Sequence, residues 1–151
     1  MPSISPFCRI STFVRDERGS QTIEFILWIP MIMILLVTVI DAATLYFAHA
    51  EMENIARDTA RRMVTGAESG KDAITLETSA SAYAAWRLSK NGYPHTVTAT
   101  WDPADRRMIV NISTSVADVA PFGYLIFALS NTVVAQVAMR ANPDIEVLPG
   151  I

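Results

Sequence analysis

At 151 residues, 51% of them hydrophobic, with mean hydropathy +0.29 and a formal net charge of −3, the chain has room for one small domain beside an apolar segment. Its twelve Lys and Arg are scattered without a dense block, so the electrostatic footprint of a nucleic-acid binder is missing. Cys8 is the only cysteine, which excludes an intramolecular disulfide and a cysteine-rich metal site and leaves stability to packing.

The first strong feature is Phe25 to Ile40, a sixteen-residue apolar run interrupted only by Pro30 and Thr38. As a helix it spans about 24 Å, and carried on through Ala48 roughly 36 Å, which brackets the ~30 Å hydrocarbon core of a bilayer. The run therefore predicts one membrane crossing. Arg9, Arg15 and Arg18 precede it, against Asp16 and Glu17, and cationic flanks stay in the cytoplasm. The N-terminus is expected inside and the C-terminal part outside. Glu24 stands directly against the run, where a carboxylate is costly, about 2.5–3.5 kcal/mol at a helix centre and less near the interface. Pro30 removes the hydrogen bond to the Ile26 carbonyl and should kink the helix. That kink is either a bend that helps the chain leave the bilayer or an ordinary transmembrane proline. Asp41 falls at the outer interface, as a solvated boundary residue or as a contact to another subunit.

Hydropathy alone leaves the processing of this run open. An uncleaved anchor is one reading; a secretory signal cut after Ala48-His49-Ala50 is another, although Asp41, Tyr46 and Phe47 intervene between run and cut. Beyond the membrane the helical pattern persists: Leu45, Ala48, Met52, Ile55, Thr59 and Met63 recur at three- and four-residue spacing, with Ala56 and Ala60 beside them. Glu53 with Arg57 and Asp58 with Arg62 are i,i+4 pairs on the opposite face, each contributing about 0.2–0.5 kcal/mol. One helix from Gln21 to Thr65 follows, on the order of 68 Å, stopped by Gly66 and Gly70.

A second helix is predicted from Thr75 to Lys90, closed by Asn91-Gly92. The period then changes to two. Val97, Ala99 and Trp101 alternate with threonines, and Met108, Val110, Ile112 and Val116 alternate with polar residues, giving two strands joined as a hairpin by the turn residues Asp102 to Asp105. Pro121 to Ser130 is too short to span a membrane and is expected as a short buried helix, or else as an exposed docking patch. Thr132 to Met139 predicts a third strand, and the last ten residues a frayed tail. The fold class is α+β, a long N-terminal helix followed by a second helix and a small antiparallel sheet. Its divisions are residues 1–19, a transmembrane helix over 20–48, its exported continuation over 49–70, a small α+β domain over 71–140 and a tail over 141–151.

Candidates for chemistry are few. His49 and His95 lack partners at ligand spacing, phosphate loops, nucleophile elbows and His-Glu-x-x-His are absent, and no catalytic, cofactor-binding or metal-ligating set emerges. Asn111-Ile112-Ser113 fits a glycosylation acceptor but falls within a predicted strand. The chain is expected not to be an enzyme and to need no cofactor.

The stretch Arg18-Gly19-Ser20-Gln21-Thr22-Ile23-Glu24-Phe25 resembles the processing site of Flp-type type IV pilins. Ile40 to Gly66, with its Asp, its aromatic pair, Asn54-Ile55-Ala56-Arg57 and Ala60-Arg61, is similar to the corresponding stretch of TadE-like minor pseudopilins of tight-adherence pilus systems. Pro121 to Arg140 resembles that family's ending, while about Lys71 to Asp118 matches no motif. Two positions depart from the pattern: Ala42, where the family often has Gly, and Asp58-Thr59-Ala60-Arg61, where it often has Glu-Gly-Ala-Arg.

The resemblance implies that residues 1–19 are a cytoplasmic leader, removed when a prepilin peptidase cuts between Gly19 and Ser20. It implies that Glu24 and Phe25 are recognised there and that Glu24 pairs with the new amino group of a neighbouring subunit. The implied partners are the peptidase, other pilus subunits and minor pseudopilins, the inner-membrane assembly platform and membrane lipid; the scattered charge already argues for no nucleic acid. The implied location is a single span in a bacterial inner membrane, with the C-terminal domain periplasmic or extracellular, or incorporated in the pilus. The alternative is an unprocessed single-span protein whose exported α+β domain binds a ligand or senses a signal.

Overall fold

The computed structural model describes residues 20–65, 70–124, 132–141 and 147. The chain divides into two units, before and after the junction of Thr38 and Val39. Its elements in order are α1 (Ser20–Val64), α2 (Ala73–Leu88), β1 (Thr96–Asp102), β2 (Arg107–Ser115), α3 (Val116–Val119) and β3 (Thr132–Arg140).

In the first unit the described residues are all helical, and the apolar side chains from Ile23 to Leu36 face outward, Leu27 at 76% of its full exposure and Phe25 at 65%. Over this stretch the helix has no polar side to offer water, the pattern of a segment suited to an apolar solvent.

The second unit is built on the C-terminal part of α1. Met52, Ile55, Ala56, Thr59, Ala60, Met63 and Val64 form one buried stripe, as their three- and four-residue spacing predicts. The buried Thr59 hydroxyl donates to the Ile55 carbonyl at 2.7 Å, so the stripe carries no unsatisfied hydroxyl. Across from it α2 buries Leu76, Ala80, Ala84 and Leu88, a four-residue repeat of small and branched side chains that allows close approach. Asp72 caps α2, accepting from the Thr75 N–H at 3.4 Å and from the Thr75 hydroxyl, and these bonds hold its carboxyl below the usual range. That cap starts the helix two residues before the expected Thr75, and its last residue is Leu88 rather than Lys90.

The three strands form an antiparallel sheet in the order β1-β2-β3. The hairpin expected between β1 and β2 is present, with Asp102 opposite Arg107. Asp102 Oδ1 accepts from the N–H groups of Ala104 at 3.0 Å and Asp105 at 3.4 Å, and Arg106 takes φ 51°, which shifts the turn one residue beyond the expected tetrad. Met108, Val110, Ile112 and Thr114 of the central strand all point to the core, where Trp101 and Ala135 join them from the two neighbours. Core side chains of α1, α2 and the sheet make one continuous cluster. Glu77 of α2 accepts from the N–H of Trp101 at 2.7 Å, satisfying a donor on a strand that has a sheet neighbour on one side only.

Two expectations are corrected. The alternation of β2 was expected to run through Val116, but the Ser115 hydroxyl accepts from the Ala117 N–H at 3.2 Å and starts the single turn α3. Pro121 to Ser130 was expected as a short buried helix or else as an exposed docking patch; Phe122 and Tyr124 are 57% and 52% exposed, against the buried reading at this end of the segment, and residues 125–130 lie outside the described residues. Of the expected tail, Val147 packs half-buried against the core, and the buried Ala141 donates its N–H to the Arg106 carbonyl at 2.8 Å.

Candidate functional site

Gly19, the residue before the expected scissile bond, lies outside the described residues, and Ser20 is the first residue of α1. Glu24 and Phe25 follow one turn later on the exposed surface of the helix. Among the described residues Glu24 has no ion-pair partner, and it stands at the head of an apolar surface. Pro30 sits inside the continuous helix, and the Thr38 hydroxyl donates back to the Ile34 carbonyl at 2.8 Å, the usual way a hydroxyl is satisfied in an apolar helix. By length and composition α1 can cross a membrane.

Asp41 is where sequence reasoning fell short. It is fully buried, which overturns the reading of a solvated boundary residue. One carboxylate oxygen accepts from the Phe122 N–H at 3.0 Å and the other from the Tyr124 N–H at 2.7 Å. Gly123 between them has φ 69°, a conformation that glycine adopts without strain, and it lets two alternate N–H groups converge on a single anion. The Thr44 hydroxyl donates to the Asp41 carbonyl at 2.9 Å, and Leu45, Val116 and Ala120 pack into a small apolar cluster in the same unit. A lone acid 81 residues before its partner gives no local signal; the only hint was Pro-Phe-Gly-Tyr, a turn sequence whose glycine permits the positive φ.

His49 is half-buried on α1, and His95 stacks on Tyr93 with ring centroids 4.8 Å apart. Burial pushes the His95 pKa down, with the Glu51 charge pulling the other way, and its Nε2 finds no hydrogen-bond partner among the described residues. His95 also lines an open groove of about 500 Å³ with Ser81, Ala85, Ser89 and Val97. Among the described residues no three His, Cys, Asp or Glu side chains come together in a way that could hold a metal ion. Among the described residues that line the groove, His95 is the one titratable side chain.

The family model described as TadE-like protein matches residues 19–61, from the glycine of the expected processing site to the second Ala-Arg. The matched stretch takes in Ser20, Glu24, Phe25, Pro30 and Asp41; the resemblance over Pro121 to Arg140 lies outside it. No curated protein and no solved structure matches the chain.

Proposed function

The chain is TadE-like over residues 19–61, and from that premise we propose that it is a minor pseudopilin of a tight-adherence pilus system, clipped between Gly19 and Ser20 and used in assembling or priming the pilus. The family ties it to such systems, and one N-terminal apolar helix fits a single-span membrane protein. The observation that carries the finer reading is the isolated Glu24. It is a carboxylate four residues after Ser20, without an ion-pair partner among the described residues, on a helix otherwise apolar as far as Thr38. A charge in that position is costly unless a cation is supplied from outside. Cleavage would create one, the Ser20 amino group, and a neighbouring subunit would bring it.

After cleavage α1 holds the subunit in the inner membrane with the second unit beyond it, and assembly proceeds by packing of the apolar helices of adjacent subunits. The peptidase needs close access to the scissile backbone, which a glycine without Cβ allows.

The test is the mass of the chain in cells with and without the cognate prepilin peptidase. An N-terminus at Ser20 is expected, and Gly19→Leu should keep the full length. Unchanged shortening of the Leu variant, or a native N-terminus at Met1, would overturn the proposal. Glu24→Gln should still be clipped and inserted but should not crosslink to other pilus subunits.

A further inference from the structure

We propose that Phe122 and Tyr124 form a second membrane contact of this chain, two aromatic rings seated in the headgroup layer of the phospholipid bilayer, with Asp41 as the residue that holds them at that level. The inference rests on reading α1 as a membrane span and adds a lipid-facing surface that the span itself does not require.

Asp41 directly follows the last residue of the apolar run, Ile40. Whatever is fastened to its carboxylate is fixed at the height on α1 where the apolar run ends. Two short bonds, to the N–H groups of Phe122 and Tyr124 at 3.0 and 2.7 Å, fasten the turn from both sides of Gly123. The turn is tethered there while its rings are left uncovered, at 57% and 52% exposure, although the apolar cluster of Leu45, Val116 and Ala120 lies in the same unit. Large aromatic rings held out of the core are costly in water and favoured in the interfacial layer, where a ring has apolar and polar surroundings at once.

The rest of the circumference supports lipid rather than protein as the occupant. Tyr46 and Phe47, each 70% exposed, follow the buried Leu45 by one and two residues. They therefore project about 100° and 200° around the helix from it. They also lie about 8–9 Å along the axis beyond Asp41, close to the roughly 5–8 Å thickness of one interfacial layer. The helix thus provides aromatic rings on its free sides, and the tethered turn provides them on the side where the domain covers it. A partner protein docking on one side would need one pair; a bilayer surrounding the helix uses both.

The experiment uses the full-length chain with Cys8→Ser, reconstituted in vesicles of phosphatidylethanolamine and phosphatidylglycerol. Single cysteines at Phe122, Leu35 or Thr98 carry an environment-sensitive fluorophore. The label at Phe122 should be quenched severalfold more by lipids carrying a nitroxide near the headgroup than the label at Thr98, and should be shielded from aqueous iodide. Adding Asp41→Asn should remove most of that difference while leaving the Leu35 label in deep lipid. Iodide access at 122 equal to that at 98 would overturn the inference and leave the span intact. Shielding at 122 without lipid quenching, relieved by diluting the protein in lipid, would overturn it in favour of a second copy. A Leu35 label that lipid nitroxides do not reach would defeat the membrane reading, and this inference with it.

Discussion

The two parts of α1 differ in how much apolar character they carry and in where on the helix they carry it. From Ile23 to Leu36 the apolar side chains are exposed on every side, whereas from Met52 to Val64 they fall on one stripe that packs in one cluster with a sheet and a second helix. Amount and angular distribution act together: a helix apolar all round needs an apolar solvent, while one with a single apolar stripe needs only a covering layer on that side. Glu53 and Arg57, paired at 2.9 Å, mark the solvated face of the second part, and the first part has no such face.

The sharpest way to break this contrast is to make the same change in both parts. Met52 is fully buried and Met33 is 54% exposed, on one helix and in one residue type. Met52→Ala should lower the stability of the second unit by about 2–5 kcal/mol, because it removes buried methylenes and leaves a cavity. Met33→Ala should leave the thermal melt of the detergent-solubilised chain unchanged, since that side chain contacts solvent or lipid in either state. Equal losses from the two variants would mean that exposure along α1 does not decide the cost.

Next in size is Asp41, at the junction of the two patterns. Asp41→Ala removes two charge-assisted bonds and leaves the Phe122 and Tyr124 N–H groups unpaired, at a cost of about 1.5–3 kcal/mol. Hydrogen exchange should rise at those two amides first, well before the sheet amides. Protection of both amides in the variant would show that the turn is held by something other than the carboxylate. Smaller again is Glu77→Ala, which leaves the N–H of Trp101 without its acceptor and should cost about 1–2 kcal/mol in the same melt, with the span unaffected.

What was legible in the sequence follows from how local each cause is. The stripe of α1 and the alternation of β2 are periodic, so Met52, Ile55, Met108 and Ile112 could be assigned to the core from spacing alone. The hairpin was legible because Asp102 makes its bonds two and three residues away. The edge of α2 shifted by two residues because a cap depends on one side chain, Asp72, which periodicity does not see. Asp41 was misread because both of its partners are backbone donors on a distant turn, and any residue there could have provided them. Glu77 was missed for the same reason, its acceptor role being set by the placement of β1 beside α2. Of the candidate site, the position of Glu24 at the head of the apolar run was evident; the tie between Asp41 and the Phe122–Tyr124 turn was not.

The smallest expected effect concerns acid acting on the second unit. His95 is the group to follow. Burial lowers its pKa below the ordinary imidazole value, and the Glu51 charge partly offsets that; Tyr93, stacked on it, is itself pushed up by burial and titrates far above this range. The fold therefore favours neutral His95, and as pH falls the unfolded chain takes up its proton first. Stability from this group is complete above the unfolded value, about pH 6.5, and is lost as pH falls through the lower folded value. The melting temperature should accordingly decline slightly from about pH 7 to 5.5, a range still above most carboxylate titrations. His95→Phe should flatten that decline. Glu51→Gln should steepen it, because the charge that favours the protonated ring would be gone. An unchanged slope in the His95→Phe variant would assign the acid sensitivity to another group and separate the burial of His95 from the stability of the domain.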